Sequence, residues 1–140
     1  MKSVFRATLL LAAFVAATGT HAQSQVPAYP TKSVRVIVPN IPGDTCDILV
    51  RVVGPKLSER LGQQYVIDNR PGGSGIVGHS LMAQAQPDGY TLGCANGGGM
   101  AIVPHAFKSV PYDSLKDFTP VALLAGNFMA LAVGANNPAR

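Results

Sequence analysis

Asn69-Arg70-Pro71-Gly72-Gly73-Ser74-Gly75-Ile76-Val77-Gly78 is the stretch on which the reading of this chain turns. It follows a short apolar run, Tyr65-Val66-Ile67, and precedes a helical-looking segment, Ile76 to Ala85. Glycines and a serine at a strand-to-helix junction leave backbone N–H groups pointing outward with no side chain in the way. Unpaired amides and the helix dipole both favour negative charge at such a junction. The stretch therefore predicts a strand–loop–helix unit whose loop suits an anion.

Working outward, Ser33 to Pro39 is rich in β-branched residues and predicts a strand stopped by Pro39. Asn40 to Asp44 is a loop. From Thr45 to Leu61, the apolar residues Ile48, Leu49, Val52, Val53 and Leu57 recur at helical spacing. Pro55 interrupts that pattern and is expected to kink or split the helix, and Leu61-Gly62 reads as its stop. After the glycine loop and its helix, Gln86-Pro87-Asp88-Gly89 is a turn by composition, and Tyr90 to Ala95 is a strand. Asn96-Gly97-Gly98-Gly99 is a second glycine loop, and Met100 to Phe107 starts a short helix. Pro120 to Leu124 and Phe128 to Val133 read as two further strands around Ala125-Gly126-Asn127.

Alternating strands and helices imply an α/β fold with a parallel sheet, and in such sheets ligands bind outside the carboxyl ends of the strands. Three loops leave those ends: Asn40 to Asp47, Arg70 to Gly75, and Asn96 to Met100. One glycine loop alone would be explained by turn geometry. Three on one edge, all rich in glycine, amide or acidic residues, point to a ligand held largely by backbone N–H groups.

Residues 1–22 have the form of a secretory signal peptide. Lys2 and Arg6 open it, Ala7 to Ala17 is an uncharged, mostly apolar run too short to span a bilayer, and Thr20-His21-Ala22 places cleavage near Ala22. Residues 23–32 are a polar, proline-containing lead-in, and residues 33–140 are read as the folded unit. Cleavage would remove two of the 11 basic residues and none of the seven acidic ones. The remainder is nearly neutral with scattered basic residues, so no nucleic-acid partner is expected. About 118 residues are left, enough for one compact domain but not two. The two cysteines, Cys46 and Cys94, would lie in a compartment that permits a disulfide.

Several chemistries fail on spacing. Gly73-x-Gly75-x-x-Gly78 has the spacing of a dinucleotide fingerprint, but it follows the second strand and has no carboxylate some 20 residues on. No Gly-Lys-Ser/Thr follows a glycine loop, so a P-loop is absent. Ser74 has glycines on both sides at the wrong spacing for a nucleophile elbow. Cys46 lies near a helix start, which lowers a thiol pKa, yet no His–Cys arrangement is legible. His79 and His105 lack partners at metal spacing and are read as ordinary core or surface residues. No enzymatic activity, cofactor or metal is expected.

The phrases Tyr29-Pro30-x-Lys32-x-Val34-Arg35-x-Ile37-Val38-Pro39, Pro42-Gly43 with Asp47 and Arg51, Leu61-Gly62-Gln63, Asn69-Arg70-Pro71-Gly72, Gly75-Ile76-x-Gly78, Pro87-Asp88-Gly89-Tyr90-Thr91-Leu92, Pro104, Tyr112-Asp113 and Asp117-Phe118-x-Pro120-Val121 occur in order. Together they resemble the N-terminal part of a tripartite tricarboxylate transporter substrate-binding protein, a Bug-type periplasmic receptor. The resemblance implies the first lobe of a type II periplasmic binding protein, a Venus flytrap, with helices on both faces of a parallel-rich sheet. It also implies capture of a small carboxylate or dicarboxylate between two lobes and delivery to membrane permease subunits. Carried over by position, Asn40, Gly43 and Asp47 belong to the first ligand loop. Gly73, Ser74 and Gly75 would form an amide cradle, and Asn96 and Gly97 open the third loop. Asp47 would accept a hydrogen bond from a ligand or cap the helix. Arg51 and Arg70 are read as structural, Arg51 through an i,i+4 pair with Asp47.

The departures from the family pattern are Asp44, where a second glycine is usual, and Pro55 within the helix. Cys46 and Cys94 fall on loops that should be neighbours at the carboxyl edge, which makes a disulfide across the mouth a hypothesis that the sequence leaves open. The family is more than twice as long, and the second lobe is missing from the 140 residues. The alternatives are a single-lobe exported interaction module that binds no solute, and an exported hydrolase using Ser74 or Cys46.

Overall fold

The computed structural model describes residues 29–126. The signal peptide with its cleavage near Ala22, the lead-in up to residue 28, and the strand expected at Phe128 to Val133 lie outside the described residues. Three strands, β1 (Val34–Val38), β2 (Tyr65–Asn69) and β3 (Thr91–Gly93), form a parallel sheet in the order β2-β1-β3. Val34 stands opposite Tyr65 and Val38 opposite Asn69, while Arg35 faces Thr91 and Ile37 faces Gly93. β1 is central because its β-branched side chains suit burial on both faces, and Val34, Ile37 and Val38 are fully buried.

Helix α1 (Thr45–Leu61) covers one face. Its Cys46 and Val50 join Val36, Val38 and Cys94, with Tyr65, Ile67 and Leu92 packed against them. Helix α2 (Ile76–Ala83) covers the other face. A Cβ at Gly78 would fall 2.5 Å from the Cα of Pro39, so only glycine allows this helix so close to the end of β1. The sheet with a helix on each face matches the α/β expectation, reached through two crossovers of the usual strand–helix–strand kind.

Four local expectations need correction. α1 runs unbroken through Pro55. A proline there removes the N–H that would bond the carbonyl of Arg51; both residues are exposed, so that carbonyl is on the solvent side of the helix, where losing the bond costs least. The buried stripe of α1 is Cys46, Asp47, Val50 and Gly54, whereas Ile48 and Val52 are more than half exposed. Two apolar stripes share the helical period, and the one that faces the sheet places Gly54 against Tyr65. β3 is three residues long, shorter than the expected Tyr90 to Ala95. Pro120 to Leu124 forms no strand, and Val121 and Leu123 are almost fully exposed. The segment pairs with neither edge of the sheet, β2 or β3, and without a partner strand its backbone polar groups are left to solvent.

Gly62 ends α1 in the left-handed conformation, its N–H donating to the Ser58 carbonyl, as the Leu61-Gly62 signal predicts. The expected short helix is present as a π turn, Gly98–Ile102, continued by α3 (Val103–Ala106). Among the described residues no helix is long and apolar enough to cross a membrane.

Candidate functional site

The carboxyl ends of β1, β2 and β3 open onto three loops, and polar side chains tie these together. Asp47, in the first turn of α1, is 2% exposed, and three protein donors reach it. Gly43 N–H (2.8 Å) and Arg51 Nε (2.8 Å) both donate to Oδ2, and Asn69 Nδ2 donates to Oδ1 (2.9 Å). Arg51, the N–H of Gly43 and then Asn69 hold the Asp47 carboxyl well below the usual carboxylate range. Asp44, at the N-cap position, makes no side-chain cap bond. Asp47 therefore reaches back over the helix start and satisfies a loop amide there. The i,i+4 pair expected for Arg51 is present.

Asn69, the last residue of β2, extends this frame. It donates to the Asn40 carbonyl (3.2 Å) and accepts from Arg51 Nη2 (3.2 Å). Asn96 joins the third loop to the first by donating to Asn40 Oδ1 (3.1 Å), while its own Oδ1 accepts the Gly99 N–H (2.8 Å). Cys46 and Cys94 are bonded as a disulfide, Cα atoms 5.9 Å apart, and link α1 to the strand end that leads into Asn96.

The glycine loop is the most unusual piece of backbone. Gly72, Gly73, Ser74 and Gly75 all have positive φ, and Ser74 (φ 58°) is the non-glycine residue in that region among those described. A residue with a Cβ held there is strained, and such strain collects at ligand sites and switches. Gly73 and Ser74 are exposed and Gly75 is buried. The Gly75 N–H donates to the Gly72 carbonyl (2.9 Å), so it is committed within the turn. Arg70 turns away from the loops: its Nε lies on Asp68 Oδ1 (2.8 Å), and Arg35 Nε holds Asp68 Oδ2 (2.8 Å).

Below the second and third loops lies His79, fully buried. Its Nδ1 is 2.8 Å from the Gly75 carbonyl, and its ring stacks on Tyr112 with centroids 5.6 Å apart. Tyr112 donates its hydroxyl to the Gly99 carbonyl (2.6 Å).

The residues expected at the site, Asn40, Gly43, Asp47, Gly73, Ser74, Gly75, Asn96 and Gly97, thus lie on three adjoining loops. Gly43, Asp47 and Asn96 spend hydrogen bonds on the frame itself. Asn69, His79 and Tyr112 are site-building residues that sequence reasoning did not single out. Asn69 had one usable signal, a polar side chain at the carboxyl end of a strand. Of the residues the hydrolase alternative would use, the Cys46 sulfur is bonded to Cys94, and the Nδ1 of His79, the histidine below the Ser74 loop, is held by the Gly75 carbonyl.

The family model described as tripartite tricarboxylate transporter family receptor matches residues 49–140. A UPF0065 protein of Bordetella bronchiseptica is 38% identical over 130 residues, which are 93% of this chain and 38% of that protein. The solved structure of Rpa4515 from R. palustris with adipate is 41% identical, with a TM-score of 0.64 over 66% of this chain and 31% of that one. MatC from Rhodopseudomonas palustris with bound malate is 35% identical, with a TM-score of 0.65 over 69% of this chain and 33% of that one. The chain spans little more than a third of the length of the curated relatives it matches. The described residues share the fold of part of an α/β lobe of these proteins.

Proposed function

We propose, because this chain belongs to the tripartite tricarboxylate transporter receptor family, that it contributes one wall of a periplasmic receptor cleft that captures a small carboxylate for the transporter's membrane permease. The observation that carries this reading is the cross-linking of loops at the carboxyl end of one sheet beside an exposed run of positive-φ backbone, Gly72 to Ser74, in which Ser74 alone is strained. Backbone N–H groups fixed in this way suit a carboxylate, because they need no reorganisation when the charge arrives. Proteins similar to this chain were solved with adipate and with malate, which gives the ligand class its support.

In this reading the Gly73 and Ser74 amides meet a carboxylate directly, with Asn40 and Gly97 lining the sides. Gly43, Asp47, Asn96 and Gly75 hold the shape. The Cys46–Cys94 link keeps the first and third loops at a fixed separation. Isothermal titration of the chain with adipate, malate and the uncharged adipamide tests the reading. Heat from at least one acid and none from the diamide is expected. No heat from any member of a panel of mono- and dicarboxylates would overturn it and favour an interaction module without a solute.

A further inference from the structure

Two of the three loops rest on a single imidazole. The Gly75 carbonyl accepts from His79 Nδ1, and a Cβ placed on Gly75 would already crowd that nitrogen at 3.3 Å. On the other side, a Cβ at Gly99 would fall 2.1 Å from His79 Cε1, so the bare Gly99 backbone lies directly on the ring. Tyr112 closes the stack by donating to the Gly99 carbonyl, and Phe118 meets both rings edge-on, at 6.5 Å from His79 and 5.9 Å from Tyr112. The spacing between the two loops is therefore set by the thickness and tilt of this ring.

We propose that His79 is a positioning residue for the carboxylate site: its neutral ring, bonded to Gly75 and pressed on Gly99, holds the Gly73–Gly75 and Gly97–Gly99 loops in binding register. This rests on the function proposed above. The hydrogen bond to a carbonyl puts the proton on Nδ1, leaving Nε2 as a buried lone pair with no partner among the described residues. Protonating Nε2 would bury a charged donor with nothing to accept from it, which is costly enough to move the contact instead. Burial accordingly pushes the His79 pKa below the ordinary imidazole value, against the opposing pull of the Gly75 carbonyl. The segment that supplies Tyr112 and Phe118 also carries Asp113, Lys116 and Asp117, but these are engaged with one another: Lys116 pairs with Asp113 (3.0 Å), and Asp117 Oδ2 accepts the Asp113 N–H (2.7 Å). α2 carries no charged residue, nor do the Gly72–Gly75 and Asn96–Met100 loops or Pro39, and Tyr112 is the titratable group stacked on the ring.

The test has a readout that needs no ligand. The His79 ring and the amides of Ser74, Gly75, Gly98 and Gly99 are followed by NMR in the whole chain from neutral pH downward. Both loops should shift in one transition that coincides with the ring and lies below the ordinary value of about 6.5. His79→Asn keeps an N–H for Gly75 but cannot titrate; it should hold the neutral-pH loop positions and abolish the transition. His79→Leu fills the space without a donor and should displace both loops at every pH. Affinity for adipate at neutral pH should then fall roughly three- to tenfold in His79→Leu, the loss of one hydrogen bond's worth, and be restored in His79→Asn. Loops that move independently, that stay put in His79→Leu, or that still titrate in His79→Asn overturn the proposal. A wild-type chain that takes up neither adipate nor malate counts against the proposed function alone, since the loop response still decides the role of His79.

Discussion

Removing the Cys46–Cys94 link should show how far the site edge depends on covalent bracing. The two cysteines are 48 residues apart in sequence, and the loop they close contains all of β2, the glycine loop and α2. Cross-linking a loop of that length removes chain entropy from the unfolded state worth about 4 kcal/mol at 25 °C. Against the 5–15 kcal/mol typical of whole domains, roughly, that is a large share. Both cysteines are buried in the core cluster, so Cys46→Ala with Cys94→Ala keeps the site apolar and adds only a small packing loss. With a urea dependence of ~2 kcal/mol per molar, the midpoint of unfolding should fall by ~2 M. The same shift should appear in the wild-type chain when reductant is added and should be absent from the double variant. Two free thiols in the denatured, unreduced protein, or a midpoint change below ~0.5 M, would refute the reasoning.

Gly78→Ala should destabilise by about 1–3 kcal/mol in urea unfolding, although alanine is the better helix former, because its Cβ meets the backbone of Pro39 at 2.5 Å and neither element can yield. Ser74→Gly should raise the urea midpoint slightly, by up to about 1 kcal/mol in stability, since glycine removes the cost of a Cβ at φ 58°; a loss of stability would mean the loop is not strained there. The Asp47 carboxyl is held well below its ordinary value, so its contribution is complete above the unfolded-state pKa of about 3.9 and is lost as the pH falls from there toward the lower folded-state value. Unfolding midpoints measured from pH 6 to 3 should therefore fall most steeply in the acid limb, and Asp47→Asn should flatten that limb.

The fold was legible wherever one residue type carried the signal. The β-branched run of β1, the Gly62 stop and the glycine junction before α2 each act through their own backbone preferences, so neighbours were not needed to interpret them. α1 was legible as a helix but not in orientation, because Ile48 and Val52 make as good an apolar stripe as Val50 and Gly54. What separates the two is the sheet itself, where Cys46 and Val50 pack with Val36, Val38 and Cys94. Pro120 to Leu124 failed for the opposite reason: its composition suits a strand, but a strand exists only with a partner. At the site, the glycines announced the loops, whereas Asn69 and His79 did not announce themselves. An asparagine or histidine becomes structural through what the fold brings to it: for Asn69 a carboxylate 22 residues away (Asp47), and for His79 the Gly75 carbonyl together with the bare Gly99 backbone of a separate loop pressed on its ring.

The division of labour within the site follows from charge. A wall that receives an anion through neutral amides loses its advantage if its own frame leaves a negative charge uncompensated, since nearby like charges repel strongly where water is excluded. Asp47 is such a charge, yet it is bonded to the Arg51 guanidinium on one side and to Gly43 and Asn69 on the others, so it acts at a distance as part of a neutral pair. The remaining cross-links, Asn69 to Asn40 and Asn96 to Asn40, are amides that fix geometry without adding any charge. His79 obeys the same constraint from beneath, because in the neutral form it joins two loops without bringing a titrating cation to the mouth. Under the proposed function, selectivity between acids would come from the spacing of the amides rather than from a charged clamp, and the residues that set that spacing would then outweigh Arg51 and Arg70, whose guanidinium groups are engaged by Asp47 and Asp68.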